Sequence, residues 1–377
     1  MSDEFTAEER RFMHRALFLA DRARFWARPN PHVGCVLVKH GEIVAEGFTQ
    51  PAGGAHAEAF ALGIAGERAR GCTAFVTLEP CSHRGRTPPC ADALVSAGVA
   101  QVIVGVEDPH PRVSGRGLQR LREAGVEVRT GLLAQEVELQ LQGFLSRARH
   151  GRGRLRIKMA ASIDGRTAMA SGESQWITGP AARRDVQTLR AESCAIVTGV
   201  ETVLADDCAL TVRDEAFDDV LLPQPQRRAL RVVLDTRLRT PPQARVLGGA
   251  QPSLLVHSES RDVPPTLRDV PRLPLAPVAD HLPLEPVLDA LAARECNEIL
   301  LESGPTLAAA MLRAGLADEL VLYLAPRLLG SRGRPMFDLP LERMAEAYDL
   351  EPMATQRIGD DLRANFRVAP RTKDDAG

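Results

Sequence analysis

Lysine is almost missing from this sequence. Of its 47 basic residues only Lys39, Lys158 and Lys373 are lysines, and the other 44 are arginines. Charge of one sign is also missing: 49 acidic residues offset the basic ones, leaving a formal net charge of −2. That balance excludes a broad basic face for nucleic acid or an anionic membrane. No apolar run reaches the ~18 residues of a membrane-spanning helix. The polar opening MSDEFTAEERRFM has neither the basic stretch nor the apolar core of a secretory signal. The seven cysteines are odd in number and lack the dense spacing of a secreted disulfide framework. These absences predict a cytoplasmic protein whose cysteines are free, metal-bound or catalytic. Internal repeats and low-complexity segments are absent too. What is present is the composition of a globular protein, and 377 residues predict two domains. The arginine excess reads as genome base composition rather than chemistry, which makes the interior Lys158 worth locating.

Hydrophobic patterning predicts an α/β first half, residues 1–150. A helix is expected over 7–26, with Phe12, Ala16, Leu19, Ala20 and Ala23 at helical spacing. VGCVLV and IVAEG flank the turn at 39–42 as a hairpin. A helix should follow His56. TAFVTL and QVIVGV are buried strands separated by the helix ADALVSAG, and GLQRLREAG with VEVRTG repeats that alternation. LLAQEVELQLQGFLSRAR closes the half as one amphipathic helix. The polar, Gly-rich stretch His150–Arg154 is the linker candidate, and seven of the nine histidines precede Gly151. The second half, 151–377, reads as strands RLRIKMAAS, CAIVTG, LRVVLD, PSLLVH, EILLES and DELVLYLAP, with helices between several of them, one being AARRDVQTLRAE. Residues 215–230 and 259–284, rich in proline and charge, are expected to be surface connections.

The first half carries a metal-type constellation. Gly53-Gly54-Ala55-His56-Ala57-Glu58 is followed by Glu79-Pro80-Cys81 and then Cys90. One imidazole and two thiolates are the three protein ligands of a catalytic zinc, with a fourth position open to water. Cys90 stands at a helix start, which favours a thiolate. Glu58 lies about 200° around the helix from His56, so it is placed to handle protons rather than to share the ion. This is the general acid/base arrangement of zinc deaminases. Two bland readings stand beside it. H-x-E alone is common, and two cysteines nine positions apart, not C-x-x-C, also suit buried thiols. Cys35 and Cys72 read as core residues.

The second half has no G-x-G-x-x-G opening a helix after a strand, so an ordinary Rossmann site is not expected. Two segments look chemical: the small and polar residues of MAASIDGRTAMASGESQWITG, with Trp176 exposed, and the strand–helix junction EILLESGPTLAAAML. Backbone N–H groups at the start of that second helix suit a cofactor phosphate, although such a junction is also a plain structural turn.

TLEPCSHRGRTPPCADALVSAGV, PNPHVGCVLV and HAEAFAL, together with KMAASIDGRTAMASGESQWITG, TVLADDCALTVR and LESGPTLAAAMLRAGLADEL, resemble the bifunctional deaminase/reductase family of riboflavin biosynthesis over nearly the whole chain. The eight residues between Cys81 and Cys90 are similar to that family's long insert. The resemblance implies a cytidine-deaminase-like α/β/α sandwich followed by a dihydrofolate-reductase-like α/β domain. It implies one Zn2+ per chain on His56, Cys81 and Cys90, with Glu58 as the proton shuttle. Asn30, His83 and Arg86 would contact the substrate, Asn30 being equally a turn residue between two prolines. In the second domain NADPH would be contacted by Ala160, Trp176, Thr202, Asp206, Thr236 and the run Gly304, Pro305, Thr306, Leu307, Ala308, Ala309 and Ala310. Ser174, Arg190, Leu210, Arg213 and Glu302 would contact the ribose phosphate. Lys158 and Asp164, on one strand–loop unit, are candidates to engage the reacting ribose. Cys208 stands where the family leads one to expect proline, which predicts a looser loop after Asp206-Asp207.

The implied activity is hydrolytic deamination of 2,5-diamino-6-(5-phosphoribosylamino)pyrimidin-4-one, then NADPH-dependent reduction of its ribosyl side chain. The partners implied are a small phosphorylated pyrimidine and further copies of the chain, as a dimer or tetramer, with no nucleic acid and no membrane. Two rivals stay open here: a deaminase of another base whose second half only binds, and a structural-zinc protein without turnover.

Overall fold

A computed structural model describes residues 5–82, 88–110, 113–213 and 229–369. Among these residues the chain divides into two compact units, one through Arg152 and one from Gly153 on.

The first unit opens with helix α1 (Ala7–Ala23), nucleated by a capping box. The Thr6 hydroxyl accepts from the Glu9 N–H, and the Glu9 carboxylate accepts from the Thr6 N–H. Helix α1 ends three residues earlier than the apolar spacing predicts. Beyond it the Trp26 indole N–H donates to the Thr49 carbonyl, and the residues ahead of Pro29 and Pro31 are steered away from helix. Strands β1 (Gly34–Lys39) and β2 (Glu42–Phe48) form the expected hairpin. Then follow α2 (Ala57–Ala65), β3 (Thr73–Leu78), α3 (Cys90–Ser96), β4 (Gln101–Val106), α4 (Arg116–Glu123) and β5 (Glu127–Thr130). The sheet order is β2-β1-β3-β4-β5. Strand alternation divides the core: Cys35, Leu37, Val76, Val102 and Val104 pack with residues of α2, α3 and α4. Val36, Val38, Phe75 and Ile103 pack on the other face against Phe12, Met13, Ala16 and Leu19 of α1. Cys35 and Cys72 are fully buried core residues. The closing helix, expected as one piece, is two: α5 (Ala134–Gln140) and α6 (Gln142–His150). Leu141 leaves helical geometry between them, and Val137, Leu141 and Leu145 all reach the same core.

The second unit comprises β6 (Arg154–Ser162), β7 (Arg166–Ala168), α7 (Pro180–Glu192), β8 (Ala195–Gly199), α8 (Val200–Asp206), β9 (Leu230–Leu234), β10 (Ser253–Ser258), β11 (Arg272–Leu275), α9 (Leu284–Ala292), β12 (Glu298–Glu302), α10 (Pro305–Arg313), β13 (Glu319–Ala325), β14 (Arg334–Pro335), β15 (Leu350–Ile358) and β16 (Asp361–Val368). Its main sheet runs β11-β10-β9-β8-β12-β6-β13-β16-β15. The strands from β11 through β13 are parallel, and β16 and β15 are antiparallel. Parallel strands need cover on both faces. Leu155, Ile157 and Leu301 pack with α9 and α10, whereas Leu300, Val321 and Tyr323 pack under α7 and Ile196 and Val233 pack with α8. Two sequence expectations change here. The stretch 259–284 is not wholly connection, because it contains the edge strand β11; Pro271 and Pro274 are tolerated since an edge needs only one row of bonds. The stretch 215–230 lies almost wholly outside the described residues. Among the described residues no helix is long and apolar enough to cross a membrane.

Candidate active sites

In the first unit three local structures meet. Gly47 of β2 lies so close to α2 that a Cβ there would stand 2.2 Å from the Ala57 carbonyl oxygen. That approach seats the start of α2, with His56 as its N-cap and Glu58 in its first turn. Cys81 follows β3, and Cys90 opens α3. The ligand atoms of His56, Cys81 and Cys90 lie within 4.8 Å of one another. His56 Nδ1 is 3.6 Å from Cys81 Sγ and 3.4 Å from Cys90 Sγ. A tetrahedral zinc with Zn–S near 2.3 Å and Zn–N near 2.0–2.1 Å separates its N and S donors by about 3.5 Å. The donor set therefore fits zinc in both type and spacing.

Electrostatics agree. The Cys81 thiol is held well below its usual range, first by the Cys90 thiol donating to it and then by His56 and the Cys90 backbone N–H. Cys90, holding the shared proton, is pushed up by that bond and by burial. A divalent cation among these donors takes the place of the protons. Glu58 is 4 % exposed. Burial first, and the Cys81 sulfur second, push its carboxyl up to about 7 against the pull of His56. A carboxyl in that range both accepts and returns a proton near neutral pH.

Of the other expected contacts in this unit, Asn30 is half-buried in the turn after α1, its N–H donating to the Ala27 carbonyl. The next residue is tied to the segment leading toward His56, for the Thr49 hydroxyl donates to the Pro31 carbonyl. His83 and Arg86 lie outside the described residues. Two carboxylates near the centre were not anticipated from sequence. Glu79 is buried, and among the described residues its carboxylate accepts from four backbone N–H groups. Asp108, raised to about 6 by burial, also feels the charges of Glu79 and Cys81.

In the second unit a cleft of about 2030 Å³ opens at the carboxyl ends of the parallel strands, where open α/β sheets bind ligands. It exceeds the ~300–1,000 Å³ of a single drug-sized ligand site, leaving room for more than one small molecule. Expected residues lining it are Lys158, Ala160, Ser174, Trp176, Arg190, Thr202, Asp206, Leu210, Arg213, Thr236, Glu302, Gly304, Pro305, Thr306, Leu307 and Ala310. Three others do not line it. Ala308 and Ala309 are fully buried on the inner side of α10. Asp164 is taken up locally: its carboxylate accepts from the Ser162 hydroxyl and the N–H groups of Leu329 and Gly330.

The floor of the cleft is an ion triad. Glu302 accepts two bonds from Arg190, at 2.5 and 3.0 Å, and pairs with Lys158 Nζ at 3.0 Å. Burial alone would raise Glu302, but the two cations outweigh it and hold the carboxyl down at about 2. Trp176 is 60 % exposed at the rim, with the Arg183 guanidinium 4.6 Å from its ring. The loop at Cys208, expected to be loose, is anchored instead. The Asp207 carboxylate accepts the Arg245 N–H at 2.9 Å. Fully buried Arg231 donates to the carbonyls of Ala209, Arg245, Gly248 and Gln251 at 3.2, 3.3, 2.8 and 2.5 Å. The Gln251 amide reaches the Leu210 carbonyl, and Leu210 takes a positive φ at the cleft wall.

A Cys/Cys/His metal centre beside a buried carboxyl, carried on one chain with a parallel-sheet unit opened by a dinucleotide-sized cleft, defines a two-centre enzyme of the deaminase-plus-reductase class. Residues 6–106 match the cytidine and deoxycytidylate deaminase zinc-binding region, and residues 154–363 match the RibD C-terminal domain. The chain is 50% identical over 371 residues to the riboflavin biosynthesis protein RibD of Escherichia coli K12, covering 96% of this chain and 98% of that one. It is 44% identical over 368 residues to RibD of Haemophilus influenzae, covering 96% and 98%. A solved structure of Acinetobacter baumannii RibD superposes with a TM-score of 0.87 at 42% identity, covering 96% and 99%. The diaminohydroxyphosphoribosylaminopyrimidine deaminase/5-amino-6-(5-phosphoribosylamino)uracil reductase of Thermotoga maritima does so at 0.84 and 31%, with the same coverage. The chain belongs to the RibD family of riboflavin biosynthesis proteins.

Proposed function

We propose that this chain carries out two successive steps of riboflavin biosynthesis. The first, in residues 1–150, is hydrolytic deamination of 2,5-diamino-6-(5-phosphoribosylamino)pyrimidin-4-one. The second, in residues 151–377, is NADPH-dependent reduction of the ribosyl side chain, giving 5-amino-6-(5-phosphoribitylamino)uracil. The observation that carries the reading is the convergence of His56, Cys81 and Cys90 beside buried Glu58, in a chain that also holds the large reductase cleft.

His56 Nδ1 and the sulfurs of Cys81 and Cys90 would hold zinc, which when bound would act as a Lewis acid that makes water nucleophilic near neutral pH. Glu58 takes the proton of the attacking water and delivers it to the departing amine, so that ammonia leaves. Asn30, His83 and Arg86 bind the substrate, the amide suiting a pyrimidine edge and the cations a phosphate.

In the second unit NADPH supplies reducing equivalents. The start of α10, from Gly304 through Leu307 with Ala310, binds it together with Ala160, Trp176, Thr202, Asp206 and Thr236. Arg190, Arg213, Ser174, Leu210, Glu302 and Lys158 orient the ring-opened ribose phosphate so that its C1 faces the reductant, and the cleft excludes competing water. The protein works in the cytoplasm as a homo-oligomer, dimer or tetramer, on a free metabolite and without nucleic acid or membrane.

The test is Glu58→Gln in the full chain. Ammonia release should fall by about 10²–10⁴-fold with zinc still bound, while NADPH oxidation with supplied deaminated intermediate continues. Retained ammonia release would remove the role of Glu58, and no NADPH oxidation with that intermediate would remove the second activity.

A further inference from the structure

Glu79 immediately precedes Pro80-Cys81, yet its side chain turns away from the metal donors and is 3 % exposed. Its Oε2 accepts the N–H groups of Asp108 and Gly115 at 3.1 and 3.0 Å, and its Oε1 those of Gly117 and Leu118 at 2.9 and 3.4 Å. Gly117 and Leu118 lie in the first turn of α4, whose N-cap Gly115 has no side chain to satisfy them. A distant carboxylate therefore does the capping, with a charge that suits the positive end of the helix. The same turn touches the ligand peptide directly: a Cβ on Gly117 would stand 2.0 Å from the Pro80 carbonyl oxygen and 3.1 Å from Glu79 Oε1. On its other side Cys81 is held by α3, for its carbonyl accepts the Ala91 N–H at 3.2 Å and its sulfur the Cys90 N–H at 3.4 Å.

We infer that Glu79 is a positioning residue for the zinc ligand Cys81: by fastening the first turn of α4 to Glu79-Pro80, it fixes where Cys81 Sγ stands relative to His56 and Cys90. The inference rests on the zinc-deaminase reading of the site. Cys81 is bracketed by two helix starts, one acting on its own peptide and the other through Glu79. Donors that must meet at about 3.5 Å leave little room for that peptide to shift. Removing a hydrogen-bonded support behind a metal ligand weakens metal binding by roughly 10–100-fold.

Glu79→Gln keeps the shape but turns one end of the side chain into a donor facing backbone donors. In the full-length chain, zinc affinity measured by chelator competition should fall about 10–100-fold. The Co2+-substituted protein should show shifted visible and thiolate charge-transfer bands, while NADPH oxidation with supplied deaminated intermediate is unchanged. Gly117→Ala, which pushes on Pro80 from the other side, should move both readouts the same way, and it decides alone if Glu79→Gln does not fold. Wild-type zinc affinity and cobalt spectrum in the folded variants would overturn the positioning role. A wild-type chain that binds no zinc would instead overturn the deaminase reading beneath it.

Discussion

The two candidate centres are built on opposite principles. The first is a point: three short side chains, each at the end of a strand or the start of a helix, meet within 4.8 Å. Their placement comes from backbone contacts, Gly47 against Ala57 and Gly117 against Pro80. The second is a wall, lined from the ends of β6, β8, β9 and β12 and the first turns of α10, and held by one buried triad. A metal needs convergence, which two loops and two helix starts provide. A dinucleotide with a sugar phosphate needs extended contact, which takes most of a sheet edge. Damage to the first centre should therefore be abrupt and local, whereas damage to the second should be graded and tied to stability.

The largest effect expected is in Cys90→Ala, which removes one of three donors. Ammonia release should drop to background and bound zinc should be lost, while reduction of supplied intermediate persists; retained ammonia release would break the contrast. Next is Glu302→Ala, which leaves Lys158 and Arg190 buried without their counter-charge. Stranding a buried charge costs about 3–5 kcal/mol, so the denaturant midpoint of the second unit should fall and reduction be lost, with ammonia release retained. An unchanged midpoint would detach the cleft from stability. Third, Glu302 is held at about 2 in the folded chain against an ordinary 4.5. A depressed carboxyl contributes its stability fully above about pH 4.5 and loses it as pH falls toward 2, an effect on the order of 3 kcal/mol. Unfolding curves of wild type and Glu302→Gln should thus converge over that range, and a constant gap would contradict the triad's role. Smallest is Lys158→Arg, where a planar fork replaces a compact ammonium. Reduction should lose about tenfold in kcat/KM, about 1.4 kcal/mol, with deamination spared. Unchanged reduction would make the one interior lysine a coincidence.

The same contrast explains what could be read from sequence. TAFVTL and QVIVGV form strands over the residues expected, because their apolar runs and flanking turns leave little choice. The clustering of His56, Cys81 and Cys90 was legible because it is local: a residue type, a spacing and a helix start. Glu79 was not, although it adjoins Cys81, because its partners lie 29 to 39 residues away and a carboxylate before Pro-Cys resembles any surface acid. Asp164 failed the other way: its neighbourhood to Lys158 suggested the cleft, while Ser162, Leu329 and Gly330 claim its oxygens. The cleft residues came through family resemblance, since no period or spacing marks a wall assembled from a whole sheet. The hairpin β15–β16 carries no sequence signal, because β15, LEPMATQRI, is exposed along nearly its whole length and shows no alternation.

The Arg231 clamp has a consequence for how this enzyme can vary. Its four bonds join the carbonyls of Ala209, Arg245, Gly248 and Gln251, segments far apart in sequence. A buried acceptor left without its donor costs about 1–3 kcal/mol, so a change in either segment that moves these carbonyls penalises the other. Residues 207–210 and 245–251 therefore behave as one heritable block with Arg231 as its key. Exchanging one loop alone with a relative's should give a weakened protein, and grafting another sugar-phosphate preference onto this cleft requires both loops and the arginine together.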